Sequence, residues 1–178
     1  MQKVLTETFF ARPATIVAEE LLGKYIVTII NNKPTGFMII ETEAYEGFDD
    51  QASHAARGLT PRTKVMFGRA GRFYVYLIYG LHQMLNVVTH SEGVPSAVLI
   101  RGIKGICGPG RVTKFLSITK AHNALAASKE TGVWFEDRGV KVLIQEIVTT
   151  PRIGVEYAGP VWSQKLWRYV YAFKSNKR

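Results

Sequence analysis

The chain has 178 residues, 47% of them apolar and 21% charged, which suits one domain with its own core and excludes a disordered chain. A single cysteine, Cys107, excludes an intramolecular disulfide, a cysteine-rich zinc site and an iron–sulfur cluster. The net charge of +9 favours a phosphate-rich partner, and the longest apolar run, residues 73–81, falls far short of the roughly twenty that a membrane-spanning helix needs.

The opening segment carries Glu7 where a signal peptide needs apolar residues, so no secretion signal is read there. Pro13 at a first-turn position and Gly23 just past Leu22 bracket an amphipathic helix over residues 14–22. A β-branched run at 24–30, a turn at 31–34 and a second strand at 36–42 read as a hairpin. Residues 50–56 are expected to form a short helix, and 57–71 a loop punctuated by glycine and proline. A strand at 72–79 pairs with one at 85–89 across a turn near Tyr79 and Gly80, and 97–103 is a further strand. The Gly-Pro-Gly at 108–110 opens a helical stretch from Arg111 to about Ser128, and 133–173 alternates short β-rich runs with glycine and proline. Helices and strands alternate without a regular βαβ rhythm, so the fold class expected is α+β, a single domain over 1–178 around an antiparallel sheet.

The positive charge is unevenly spread. Residues 1–60 hold five basic and eight acidic side chains, 61–120 hold nine basic and only Glu92, and 121–178 hold nine against five. A surplus concentrated in one region fits a nucleic acid, because each neutralised phosphate releases condensed counterions. A basic soluble protein that binds nothing fits the same numbers.

Three segments carry candidate chemistry. Glu41, Glu43 and Tyr45 share a face at the end of an apolar strand and read either as a site for a desolvated general base or as a solvated strand end with both carboxylates in water. Tyr74 and Tyr76 share a face of the next strand. Tyr79 at the hairpin tip cannot be hidden by its own sheet; it reads as packing or as a ring that wedges between bases. His54, Asn86 and Arg101 fall nearby in the order of the strands. The four histidines show no helical ligand pair and no cysteine partners, so no metal site is expected. The Gly-Arg-Ala-Gly at 68–71 precedes a strand, which excludes a dinucleotide loop.

Taken together, IETEAYEG at 40–47, ASH at 52–54, TPR at 60–62, MF at 66–67 and FYVYLIYG at 73–80 with Asn86 closely resemble the alkyladenine (3-methyladenine) DNA glycosylase family. LLG at 21–23, VLIR at 98–101, GPGR at 108–111 and RIGV at 152–155 extend the resemblance from about Pro13 to Tyr169. It implies that Glu43 is the general base activating the water that attacks the sugar C1′, with Arg101 and the Ile153 carbonyl holding that water. Tyr45, His54 and Tyr76 would sandwich the flipped base, and Asn86 would screen out guanine by its 2-amino group. Tyr79, with Leu81 beside it where the mammalian relative has Met, would fill the gap in the duplex, and Thr60 and Arg62 would meet the backbone. The fold implied is a small open barrel with flanking helices, similar to formyltransferase C-terminal domains.

The resemblance further implies a monofunctional enzyme of base excision repair in the cytoplasm, associated with the nucleoid, acting on double-stranded DNA with damaged purines. No cofactor and no obligate protein partner are expected. Two rival readings remain: a non-catalytic DNA- or RNA-binding domain using the same basic, tyrosine-rich surface, and a strand-cutting glycosylase working through a Schiff base. The first leaves a carboxylate unexplained in a cationic face. The second needs an amine that none of these motifs offers.

Overall fold

The structure, a computed structural model, describes residues 2–172. Its elements in chain order are β1 (Lys3–Val4), α1 (Glu7–Phe10), α2 (Ala14–Glu20), β2 (Tyr25–Ile30), β3 (Lys33–Tyr45), β4 (Phe73–Ile78), β5 (His82–Val88) and β6 (Ala97–Ile103). Then follow β7 (Ile106–Cys107), α3 (Pro109–Phe115), β8 (Val133–Asp137), β9 (Ile147–Thr150), α4 (Gly159–Ser163) and β10 (Arg168–Tyr171). All the strand pairs are antiparallel, with the path β1-β8-β2-β3-β6-β5-β4. The class is α+β, and the path is open: β1 and β4 stand at its two ends.

Helix α2 forms as its spacing dictates. Ala14, Val17, Ala18 and Leu21 recur on one face and are wholly buried against the sheet. The β2–β3 hairpin turns on Asn31 and Asn32, both at positive φ, so Ile30 pairs directly with Lys33. β3 therefore starts earlier than expected and runs on to Tyr45. Pro34 is tolerated inside it because β6 reaches only as far as Ile39, leaving that flank of the strand unpaired.

Two expected helices are corrected. Residues 50–56 form turns and then a single 3₁₀ turn at His54–Arg57, because Asp50 accepts the Ala52 N–H with its own carboxylate and Ser53 caps Ala55. The stretch from Arg111 to Ser128 is helical only to Phe115. Ser117 takes positive φ, and Thr119 starts a separate turn by accepting from the Ala121 N–H. The segment after it is recruited by the sheet: the Asn123 side chain accepts the Val75 N–H, and Ala124 and Leu125 bond Phe73, covering the outer edge of β4. The expected loop at 57–71 contains a further 3₁₀ turn, Lys64–Phe67. Phe173, the end of the last expected β-rich run, lies outside the described residues, as do the other C-terminal residues and Met1.

Strand alternation sorts the sheet into two faces. Phe73, Val75, Leu85, Val87, Val98 and Ile100 enter the main core with Phe10, Leu21 and Phe135. Tyr74 and Val88 point the other way, into a smaller cluster with Ala55 and Met66. The site lies on that second face. Among the described residues no helix is long and apolar enough to cross a membrane.

Candidate active site

On the second face, β3, β4, β5 and β6 line an open cavity of about 390 Å³, bordered by residues 52–54 and by Ile153, Gly154, Val155 and Tyr157. That volume suits a small-molecule-sized ligand. Of the residues singled out from sequence, Glu43, Tyr45, His54, Tyr76, Tyr79, Asn86, Arg101 and Ile153 all line it. Leu81, Thr60 and Arg62 do not.

Glu43 is at the floor with no exposed surface. Its Oε1 accepts the Ile153 N–H at 2.8 Å and lies 3.4 Å from Arg101 Nη1; its Oε2 accepts the Tyr45 hydroxyl at 3.0 Å. Burial pushes its pKa up, opposed by the positive charge of Arg101, the Ile153 N–H and the Tyr45 hydroxyl. The carboxylate is thus a desolvated base whose ionised form is still supported. Ile153 meets it through its N–H, whereas the resemblance assigned its carbonyl to the water.

Arg101 reaches Glu43 because the β3–β6 register slips twice. Ile39 pairs with Ile103, Glu41 with Gly102 and Thr42 with Ile100, so Ile40 is extra on one strand and Arg101 on the other. Bulges of this kind re-aim a side chain. Gly102 lets the two strands close up at Glu41, since a Cβ there would come within 2.9 Å of the Glu41 Cβ. Glu41 and Glu43 do not share one environment: Glu41 Oε1 accepts from Arg101 Nε at 3.0 Å and from Arg168 Nε at 2.7 Å, and Glu41 is not part of the cavity lining.

The walls are aromatic. His54 meets the Tyr76 ring edge-on at 4.5 Å, and Tyr74 lies 5.3 Å from Tyr76. Arg62 donates to His54 Nε2 at 3.3 Å, and because a guanidinium only donates, the imidazole proton sits on Nδ1 and goes to the Tyr74 oxygen at 3.0 Å. Burial, with the charges of Arg62 and Arg57, pushes His54 down to about 4. The ring is neutral at physiological pH. Burial likewise raises Tyr45 and Tyr76, and the Glu43 charge raises both further, so both hydroxyls keep their protons. The Asn86 amide nitrogen donates to the carbonyls of Tyr74 and Met84, at 3.1 and 3.3 Å, which leaves its oxygen for the cavity.

Outside the cavity, Arg62 lays its guanidinium 5.2 Å from the Tyr76 ring centre. Thr60 exchanges hydrogen bonds with Thr63 in a tight turn, which is what its position explains. Tyr79 is 90% and Leu81 78% exposed, at the tip of the β4–β5 hairpin, with Tyr79 and Gly80 both at positive φ. Two large apolar side chains thus stand bare, next but one in sequence, at a single hairpin tip.

Sequence reasoning missed the pair that frames the cavity. Arg152 donates from both Nη atoms to Asp50, from Nη1 to the Ala44 carbonyl and from Nη2 to the Trp162 carbonyl, and it lies 4.8 Å from the Tyr45 ring centre. Tyr157 adds a second tie, its hydroxyl donating to the Ala52 carbonyl at 2.8 Å. Arg152 stood in a recognised motif, but nothing in the sequence pointed to Asp50 as its partner.

By class, then, this is an α+β scaffold with an aromatic pocket and one desolvated carboxylate at its floor. The chain belongs to the methylpurine-DNA glycosylase family, whose family model matches residues 8–107 and 104–175. It is 46% identical over 173 residues to a protein of Myxococcus xanthus (strain DK1622) named as a candidate 3-methyladenine DNA glycosylase, an alignment covering 92% of this chain and 88% of that one. Proteins of the same name from Anaeromyxobacter dehalogenans (strain 2CP-C) and Sodalis glossinidius are each 43% identical, covering 93% of this chain and 82% and 95% of theirs.

Proposed function

We propose that the protein is a monofunctional DNA glycosylase of base excision repair, with residues 1–178 as one glycosylase domain acting on damaged purines in double-stranded DNA. A base inside the stack is out of reach at C1′, so the nucleotide is flipped into the cavity at a cost of a few kcal/mol. Tyr79 and Leu81 fill the vacated space, while Arg62 and neighbouring cations meet the backbone. The damaged purine lies against Tyr45, His54 and Tyr76. N3- or N7-alkylation makes the base cationic, which favours stacking on tyrosine faces and makes it a good leaving group. Asn86 stands against the 2-amino group of unmodified guanine.

The observation that carries this reading is Glu43, fully buried at the floor of an aromatic cavity and held by Ile153 and Tyr45 with Arg101 beside it. Glu43 accepts a proton from water as the water oxygen bonds to C1′; the bond from C1′ to the base nitrogen breaks, and the alkylated base leaves neutral. No lysine lines the cavity among the described residues, which supports release by water over a Schiff base on a lysine. A merely binding domain gives no reason to bury a carboxylate among phosphate-seeking cations. The implied formyltransferase-like curl of the sheet stays with this reading, supported by the long β3, which is shared between β2, β10 and β6.

The test is a duplex carrying one alkylated purine, followed by chromatography of the free base and alkaline cleavage of the product strand. Free base with cleavage only after alkali is the expected result. Intact strand after alkali, for every purine lesion tried, overturns the reading.

A further inference from the structure

Arg168 lies outside the cavity lining. It stands on β10, in register with Glu43 across the β10–β3 pair, yet its side chain goes to Glu41, with Nε on Oε1 at 2.7 Å and Nη1 on Thr150 Oγ1 at 2.9 Å. The same Glu41 oxygen accepts from Arg101 Nε at 3.0 Å. Two arginines, one from each strand flanking β3, therefore share one carboxylate oxygen. All three side chains are largely shielded, with exposures of 12% for Arg101, 9% for Glu41 and 22% for Arg168.

The chemistry of that sharing decides where Arg101 points. A guanidinium and a carboxylate with no other partners close into a bidentate fork. Arg168 occupies Glu41 Oε1 from the far side and, being anchored on Thr150, cannot follow it. Arg101 is then left with Nε on Glu41 and its Nη1 directed at Glu43. We infer that Arg168 is a positioning residue for the proposed reaction, acting through Glu41 to hold Arg101 against Glu43. The inference rests on the glycosylase reading above.

The charges around Glu43 allow a signed test. It faces Arg101 from β6, Arg152 from the segment after β9, the hydroxyls of Tyr45 and Tyr76, and, one shell further, Glu41 with Arg168. Removing the Arg168 charge leaves this cluster more negative and releases Arg101 to fork on Glu41. Both effects disfavour the Glu43 carboxylate. Removing the Glu41 charge does the reverse.

The experiment measures single-turnover base release from pH 4 to 9 for wild type, Arg168→Gln, Arg168→Lys and Glu41→Gln, with thermal unfolding of each. Alongside it, the Glu43 carboxyl carbon is titrated by ¹³C NMR, its signal assigned by its loss in Glu43→Gln. Arg168→Gln should move the acid limb and the carboxyl midpoint up by about one pH unit, and Glu41→Gln should move both down. Arg168→Lys, which keeps the charge, should stay nearer wild type than Arg168→Gln does. A merely structural Arg168 would lower the melting temperature and leave the midpoints alone. Unmoved midpoints in Arg168→Gln, or shifts of the same sign in both charge variants, overturn the inference. Should Arg168→Gln not fold, the downward shift in Glu41→Gln and the position of Arg168→Lys decide it. A wild type that releases no base sinks the glycosylase reading instead, and the NMR midpoints still decide the positioning.

Discussion

Arg152 grips Asp50 with both Nη atoms, at 2.6 and 2.8 Å, and neither side chain has any exposed surface. The pair clamps the segment that carries His54 to the segment that carries Ile153, so both ends of the cavity's rim depend on it. Breaking a buried ion pair by removing one charge costs about 3–5 kcal/mol, because the other charge is left without compensation. Asp50→Asn should therefore lower the unfolding free energy by about that much in urea titrations, and base release should fall with it as Ile153 loses its place against Glu43. A loss under about 1 kcal/mol would show that the clamp is dispensable.

Glu43→Gln separates chemistry from folding. Base release should drop by about 10²–10⁴-fold in single turnover, the usual contribution of a general base, with lesion binding kept within a few-fold. Stability should respond in the opposite sense. Burial raises the folded-state pKa of Glu43, so its contribution to stability is present at low pH and is lost as pH rises through that folded pKa. Glutamine cannot ionise, so the variant should melt no lower than wild type at neutral pH. A tenfold loss in rate, or a clear drop in melting temperature at pH 7.5, contradicts the role.

His54 gives a pH signature of its own. With its pKa pushed down to about 4, the folded state favours the neutral ring. Its contribution to stability is present above the unfolded value near 6.5 and is lost as pH falls from there toward 4. Its imidazole resonances should stay in the neutral position at pH 5.5 and titrate only near pH 4. A midpoint near 6.5 would mean a solvated ring outside the aromatic wall.

For Asn86, the amide nitrogen is committed to two main-chain carbonyls, so its oxygen is the group fixed toward the cavity. Asn86→Ser and Asn86→Gly should raise excision of unmodified guanine, read as free guanine released from undamaged duplex. If excision does not rise, the discrimination lies elsewhere.

Tyr79→Ala tests the hairpin tip. A ring that is 90% exposed contributes little to folding, so the melting temperature should hold. Excision of a paired lesion should lose about 1–3 kcal/mol, the usual worth of a base–aromatic stack, and the loss should shrink in a mismatched duplex, where the base is cheaper to extrude. Equal losses in the two duplexes would make Tyr79 an ordinary contact.

Much of this site was legible because it is written in strands. Period-two alternation put Glu43 with Tyr45 and Tyr74 with Tyr76, and the glycine beside Tyr79 marked the tip. The paired bulges that turn Arg101 toward Glu43 were not legible, since a register slip leaves no trace in residue type. The Asp50–Arg152 clamp was hidden for a similar reason: it joins residues 102 apart in sequence, and Asp50 was expected inside a helix. The helix expected from Arg111 to Ser128 is broken by the positive φ of Ser117 and by Thr119, whose side chain bonds its own backbone and outcompetes helical propensity.

The β4–β5 hairpin also sets a gauge. Tyr76 in the cavity wall and Tyr79 at the bare tip are three residues apart on one two-stranded arm, at most about 10 Å at strand rise. Lengthening both strands by two residues would keep every side chain on its own face while carrying the tip about 7 Å further out. On the proposed reading, such an arm would hold its ring about 7 Å further from the pocket that takes the flipped base, and wedge and pocket would no longer serve one nucleotide together. On that reading the reach of the arm, together with the ring at its end, decides which base is taken.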